Sequence, residues 1–308
     1  MFANAARSIF PELTNTITRA QILQTMAQAD LKWPNFDRIS RGVYNLPEST
    51  QIAHETAEDI EARIADTFES LETLVASVAS NSVNSLVVAG APGLGKSYTV
   101  NKVLNEINHG SEYNYVFHRG YLRASHLFRL LWQNRFEGQV IVLDDTDAIF
   151  GDETALNILK AALELKPTRR IGWGSEKEFL DDDGETIPRY FDYSGSIIFL
   201  TNLPFREMIA GNSKNAPHLS ALESRSLVLD LKIKTQTEYL VKIKQTIKAG
   251  MLENAGFNLV EEVEIISFLE ENITKFSDIS LRMVEKIAAL YRANPTNWQK
   301  LCRAVCFK

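Results

Sequence analysis

Eight consecutive residues limit what this chain can fold into more than anything else in it. Gly90-Ala91-Pro92-Gly93-Leu94-Gly95-Lys96-Ser97 follow directly on the apolar run Ser85 to Ala89 and satisfy G-x-x-x-x-G-K-[ST] in a strand-to-helix setting. Glycines let backbone N–H groups curl around phosphate oxygens. Lys96 offers a point charge to β and γ phosphates, the Ser97 hydroxyl suits Mg²⁺, and a helix starting there adds its dipole. A chance match in a chain of this length has a probability on the order of one per cent from average composition. The expected ligands are ATP and Mg²⁺, with Tyr98, the next residue, counted with the loop.

The rest of the chain must supply a fold that can present such a loop. Further apolar runs stand at Tyr113 to Phe117, Val140 to Leu143, Ile197 to Leu200 and Ser226 to Leu231, continuous in the manner of strands buried on both faces. Helical segments separate most of them, which predicts an α/β chain with a parallel sheet. Ile52 to Ser80 reads as a long amphipathic helix, with Ile60, Ile64, Phe68, Leu71 and Val75 mostly on one face. After Lys232 three or four amphipathic helices are expected, the clearest carrying Leu281, Val284, Ile287, Ala288 and Tyr291. Before Pro47 the chain is polar and broken by Pro11 and Pro34. With 308 residues and about 150 per domain, the expectation is an N-terminal extension over 1–50, a core over 51–231 and a helical domain over 232–308.

Composition removes other classes. At 45% hydrophobic and 23% charged residues the chain is neither disordered, collagen-like nor a disulfide mini-protein. No run reaches the roughly 18 apolar residues of a membrane span, and the first ten residues do not read as a signal peptide, so the expected location is cytoplasmic. Cys302 and Cys306 lack partners at metal-ligand spacing and read as packed or free thiols. A net charge of −6 argues against a surface that coats nucleic acid, while leaving room for a locally basic channel.

A second chemical element follows the loop. Val140-Ile141-Val142-Leu143 ends in Asp144-Asp145. A carboxylate at the strand tip suits the metal's water shell, and its neighbour suits polarising an attacking water. Asp147 reads as a loop or helix-capping charge.

These residues, with Ile197-Ile198-Phe199-Leu200-Thr201-Asn202, then Leu222-Glu223-Ser224-Arg225 before a strand, then Ser280-Leu281-Arg282 in the helical domain, stand in the order of the AAA+ ATPases. The resemblance covers roughly residues 50–295. It implies a three-layer αβα P-loop core with a C-terminal helical lid, hydrolysis of ATP to ADP and phosphate, and a ring, most often a hexamer. By it Asn202 looks like sensor 1, Arg225 like an arginine finger reaching the neighbouring subunit's γ-phosphate, and Arg282 like sensor 2. Guanidinium groups suit the charge that builds on a transferring phosphoryl group. Other readings stay open: Arg225 as a helix C-terminal cation, Arg282 as a solvent-facing residue, Arg206 as a rival finger. One departure is plain, since the family usually has Glu where this chain has Asp145, one methylene shorter, so hydrolysis could be slow.

Two segments bear on what such a machine would act on. Gly120-Tyr121-Leu122, within His118 to Arg123, resembles the aromatic pore loop of Clp-type unfoldases, where a Tyr grips a threaded polypeptide; the alternative is that Tyr121 packs on a helix starting near Ser125. After a helix from Ala155 to Leu165 the chain runs through Thr168 to Trp173, an acidic turn Asp181-Asp182-Asp183-Gly184, and Arg189 to Tyr193, which reads as an extended hairpin. Its position resembles the pre-sensor-1 hairpin of the branch holding Clp-type unfoldases, RuvB-like motors and replicative helicases, which act on protein or on DNA. Arg169, Arg170 and Lys177 would attract phosphates there and Asp181 to Asp183 would repel them. Ile17 to Leu23 and Arg38 to Pro47 resemble a small winged helix, or else an extension packed on the core. Lys232, Lys234, Lys242, Lys244 and Lys248 read first as a solvated face.

The sequence thus predicts a ring-forming, Mg²⁺-dependent ATPase that threads or remodels a macromolecule, with polypeptide preferred. The alternatives are a DNA-acting motor or loader, and a slow-hydrolysing, nucleotide-gated assembly protein. Homo-oligomers and a protein substrate or adaptor are the expected partners, DNA is a further one, and no membrane is expected.

Overall fold

The computed structural model describes residues 2–11, 13, 16–29, 38–45, 55–108, 115–166, 168–174, 178–181, 183–211 and 214–308. Pro34, Pro47, Ile52, Tyr113, Lys177, Asp182 and the expected domain boundary at 50/51 lie outside them. The chain divides into two compact units, Met1–Asp59 and Ile60–Lys308.

The first unit holds α1 (Phe2–Ile9), β1 (Thr16–Thr18), α2 (Arg19–Ala29), β2 (Arg38–Ser40) and β3 (Val43–Asn45). The strands form an antiparallel sheet in the order β1-β3-β2. β2 turns into β3 at Arg41-Gly42, where Gly42 sits at φ 80°, a region that glycine enters without steric cost. Ala6, Ile17 and Ile22 make its small core. The helix α3 (Ala57–Ala79) leads into the second unit.

The second unit is built on five strands, β4 (Ser85–Ala89), β5 (Tyr115–Arg119), β6 (Val140–Asp144), β11 (Ser196–Thr201) and β12 (Leu227–Asp230). They lie in the order β12-β4-β11-β6-β5, with every pairing parallel. Every residue of β4, β6 and β11 is buried, which is why these runs read as unbroken apolar stretches rather than alternating ones. Leu86, Val88, Val142, Ile198 and Leu200 face one layer with α3 and α4 (Lys96–Asn108). Val87, Ile141, Leu143, Ile197 and Phe199 face the other, with α5 (Ala124–Gln133), α6 (Glu153–Ala162), α7 (Phe205–Ala210) and α8 (Ala216–Glu223).

Between α6 and β11 the expected hairpin is a nested pair of ladders. β7 (Arg169–Gly172) pairs antiparallel with β10 (Tyr190–Tyr193), and β8 (Phe179–Leu180) with β9 (Thr186–Ile187) nearer the tip. Asp181 and Glu185 close the turn, with Gly184 at φ 83°. Two-residue strands are marginal alone, so aromatic packing anchors them. Phe128 of α5 stands 5.5, 5.9 and 5.1 Å from Trp173, Phe179 and Phe191 between ring centroids, contacts of about 0.5–1.5 kcal/mol each. One reading is corrected: Arg169 is 2% exposed and is not a surface cation of the hairpin.

The chain ends in four helices, α9 (Gln236–Lys248), α10 (Leu259–Asn272), α11 (Leu281–Ala293) and α12 (Trp298–Cys306), around Ile243, Ile265, Phe268, Phe276, Val284 and Ile287. Their starts are written locally: capping boxes Thr235/Glu238 and Asn258/Glu261 open α9 and α10, and Ser280 caps α11. Cys302 and Cys306 are buried free thiols in this core, and burial pushes the Cys302 thiol up to about 12. The lysine run of α9 is not one solvated face. Lys242 packs 3.2 Å over the Phe68 ring and Lys244 pairs with Glu270. Among the described residues no helix is long and apolar enough to cross a membrane.

Candidate functional site

The loop after β4 is shaped by two glycines in the left-handed region, Gly93 at φ 74° and Gly95 at φ 87°. Both are also approached by α11. A Cβ on Gly93 would lie 2.5 Å from the Ser280 Cβ, and one on Gly95 would lie 3.0 Å from Leu281. The Leu281 N–H donates to the Gly93 carbonyl at 2.9 Å. The helical segment carrying Ser280-Leu281-Arg282 therefore seats directly on the loop, and any side chain at position 93 would push it away.

Lys96 opens α4 and is 6% exposed. Its Nζ donates to the carbonyls of Gly90 (2.6 Å) and Ala91 (3.0 Å) and to Asn202 Oδ1 (2.8 Å). Asn202 Nδ2 donates in turn to Asp145 Oδ1 at 2.6 Å. Parallel pairing of β11 between β4 and β6 puts Asn202 beyond its strand end, level with both the loop and the acids. Asp145 itself lies at φ 54°, a left-handed conformation that Asp tolerates better than most residues. Asp147 accepts from Thr201 Oγ1 at 2.6 Å and ties the loop after β6 to β11.

Ser97 Oγ donates to Asp144 Oδ1 at 2.9 Å. A hydroxyl and a carboxylate oxygen this close, with phosphate oxygens and waters completing the shell, are the donor set a hard divalent cation takes. Among the described residues no group of three or more His, Cys, Asp or Glu could hold a metal alone. Arg119 was not singled out from the sequence, yet its Nε lies 2.8 Å from Asp144 Oδ2. It ends β5, and the register Arg119↔Asp144 makes the two neighbours. Only the sheet order reveals this, because the two residues are 25 apart in sequence. Arg119→Ala should lower the Mg²⁺ concentration needed for nucleotide binding by about three- to fivefold, the size of a largely exposed charge contact of about 1 kcal/mol. Titrating Mg²⁺ against a fluorescent ATP analogue reads this, and an unchanged midpoint would separate Arg119 from the metal site.

A cavity of about 560 Å³ joins the loop, Asp144, Asp145 and Asn202 to Arg282 and to Met251, Phe257 and Ala289 of the C-terminal helices and their connections. Its polar end holds the cations and acids, and its other wall is largely apolar, which suits a phosphate chain carrying a flat base. Burial pulls Lys96 down to about 8; nearby Asp145 and Asp144 raise it and Arg282 lowers it further. Bound phosphate favours the charged amine. Above pH 8 binding must therefore take up a proton, and affinity should fall as pH rises through about 8. Calorimetry at pH 9 in buffers of different ionisation enthalpy measures the uptake, and a proton count of zero would contradict it.

The remaining expected residues divide. Arg225 stands two residues before β12, at the N-terminal ends of the parallel strands, away from its own phosphate loop at their C-terminal ends. Its Nε and Nη2 donate to Glu164 Oε1 at 3.0 and 2.7 Å, and its Nη1 to the Ala221 carbonyl. Arg206 is exposed and paired with Glu223 at 3.6 Å. Tyr121 is 71% exposed, with Arg123 5.9 Å from its ring. Leu122 is corrected: at 3% exposure it belongs to the core under the sheet, where it anchors the loop and cannot touch a substrate.

No protein-family model matches the chain. Over 248 residues it is 32% identical to an uncharacterised 36.7 kDa protein from the nrdC-mobD intergenic region of Enterobacteria phage T4, spanning 80% of this chain and 75% of that one. Among solved structures it is similar to a DNA replication initiation factor at 15% identity and a TM-score of 0.45, over 82% of this chain and 68% of the other. Similarity to NtrX from Brucella abortus in complex with ATP is at 13% identity and 0.42, over 74% of this chain and 50% of that one. Drosophila ORC bound to DNA is similar at 10% identity and 0.40, over 94% and 71%.

Proposed function

We propose that the chain, which belongs to one family with the uncharacterised phage T4 protein, is an AAA+ P-loop ATPase that depends on Mg²⁺ and whose turnover depends on assembly with further copies of itself. The observation that carries this is the chain of contacts Lys96–Asn202–Asp145 beside the pair Ser97–Asp144. It brings a phosphate cation, a water-positioning amide and two carboxylates to one end of the sheet. Lys96 and the N-terminus of α4 hold the phosphates. Ser97 and Asp144 hold Mg²⁺, which supplies charge neutralisation on the β and γ phosphates. Asp145 accepts a proton from, or orients, the attacking water, with Asn202 fixing the carboxylate. Arg282 approaches the same phosphates from the lid.

The position of Arg225 supports a finger delivered to a second copy, because its own phosphate loop is out of reach. Asp145 in place of Glu favours slow turnover. The coarse division into an extension over 1–50, a core over 51–231 and a lid over 232–308, and a cytoplasmic site of action, belong to the same reading.

For the substrate, the exposed Tyr121 on a loop anchored by Leu122 supports contact with a polypeptide. A second reading has its own observation: Tyr121 lies between Arg119 and Arg123, with Arg123 near its ring, and an aromatic face flanked by cations also suits a single-stranded nucleic acid. Multi-turnover phosphate release, measured alone, with an unfolded polypeptide and with single-stranded DNA, tests all of this. Stimulation by polypeptide that Tyr121→Ala removes supports threading of protein. Stimulation by DNA that collapses with salt supports the second reading, and release no faster than a single turnover would leave a nucleotide-gated assembly protein.

A further inference from the structure

Two helices of the C-terminal bundle leave large apolar side chains in water. Leu259, Val260 and Val263 of α10 are 80, 68 and 61% exposed, and Leu301 and Val305 of α12 are 36 and 69% exposed. Single exposed apolar residues are ordinary, whereas contiguous ones mark contact surfaces. Leu301 and Val305 stand four apart and so lie side by side on their helix, as do Leu259 and Val263 on theirs. Neither helix uses these side chains for its own core. α10 buries Ile265, Phe268 and Leu269, and α12 buries Trp298, Cys302 and Cys306. None of the five exposed residues lines the nucleotide cavity.

The two surfaces differ in shape and in charge. Leu259 and Val260 border an open hollow of about 920 Å³ between α9 and α10, which Ile247 and Ile266 also line. Glu253, Glu261 and Glu262 stand around it with Lys244 and Lys248. Lys244 is held by Glu270, so the acids outnumber the one remaining cation, and α10 as a whole carries five glutamates and neither Lys nor Arg. The α12 surface is a projecting helix face of the opposite sign. It carries Lys300 and Arg303 and no acid, and among the described residues no salt bridge holds either.

We propose that α12 of one copy docks into the α9–α10 hollow of a second copy, with Leu301 and Val305 against Leu259 and Val260, and Lys300 and Arg303 facing the glutamates. The occupant is argued from charge. Two α10 surfaces, or two α12 surfaces, would set like charges face to face, whereas one of each is complementary. The contact therefore runs head to tail, and such a contact repeats from copy to copy until it closes a ring or extends as a filament. Within one chain the two surfaces do not meet. α12 packs by Trp298 on Phe268 of α10, 4.9 Å between ring centroids, and Leu301 and Val305 stay exposed. The contact does not rest on the ATPase reading above, since neither surface includes the phosphate loop or Arg225.

Sedimentation of the full-length protein without nucleotide, over a range of protein and salt concentrations, is the test. The parent chain should associate as its concentration rises, and less so as salt screens the charges. Leu301→Gln with Val305→Gln should weaken association by about tenfold or more, and so should Leu259→Gln with Val260→Gln. All four side chains are exposed, so the thermal midpoint should not move. Each double variant keeps one surface intact. Mixed together they should form a one-to-one pair and nothing larger, an outcome that also shows both to be folded. A parent chain that stays monomeric, variants that associate like the parent, or a mixture that forms no pair would each overturn the proposal. Association that requires ATP and ignores all four substitutions would overturn it too while leaving the ATPase reading in place. ATP binding by the double variants should match that of the parent, and an absence of ATP binding in parent and variants alike counts against the ATPase reading instead.

Discussion

Lys96→Ala should weaken ATP binding by at least about a hundredfold. Removing one partner of a buried charge contact costs about 3–5 kcal/mol, and each 1.4 kcal/mol is a factor of about ten. Lys96 is well placed to exert that full effect, being 6% exposed and aimed at the acceptors that line the loop. The substitution also leaves the Gly90 and Ala91 carbonyls without this donor, so a folding defect has to be separated from a binding defect. Lys96→Met keeps the apolar stem, and its thermal midpoint should stay near that of the parent while binding is lost equally. Near-parental ATP affinity in a folded Lys96→Met protein would refute the phosphate-loop reading altogether.

Arg225→Ala should leave ATP affinity within about twofold and cut turnover by about 10³–10⁵, the range for a finger arginine. The contrast with Lys96 follows from geometry, since Arg225 is at the wrong end of the strands to meet its own nucleotide. Its pair with Glu164 is partly exposed, at 27% and 43% for the two side chains, so solvent screening leaves little stability to lose with it. Arg206→Ala, the rival, should keep parental turnover. Mixing supplies the decisive measurement. Lys96→Ala chains carry a working finger and a dead site; Arg225→Ala chains carry the reverse. If the finger acts between copies, the mixture should recover activity that neither shows alone. Parental turnover in Arg225→Ala, or no recovery on mixing, would remove Arg225 from the chemistry.

Much of this site was legible along the chain because its parts sit at strand ends, and buried parallel strands announce themselves as short apolar runs. Gly90 to Ser97 follows β4, Asp144-Asp145 closes β6, and Asn202 follows β11. Each run lies within about two residues of its strand, and the loop and the two acids follow directly on their strands, whereas Asn202 drew notice only through the family resemblance. Arg119 escaped because nothing local marks it; its meaning comes from β5 lying beside β6. Leu122 was misjudged for the converse reason. A Tyr-Leu pair on a loop looks like a single apolar contact, but the chain turns there and sends the two side chains opposite ways, Tyr121 outward and Leu122 into the core. Arg169 was misjudged too, because the antiparallel ladder with β10 buries alternate residues of β7.

By itself the sequence determined an α/β chain with a parallel sheet, the phosphate loop and its acids. All of these depend on periodicity and on residues adjacent in the chain, and local sterics and hydrogen bonding act at that range. Only the tertiary structure decided which cations meet which anions. Arg119 with Asp144 and Arg225 with Glu164 are pairings made across 25 and 61 residues of chain, the neutral Asn202 meets Lys96 across 106, and among the described residues Arg169 has no salt bridge. Electrostatic energy depends on distance and on burial, and the sequence lists charges without either.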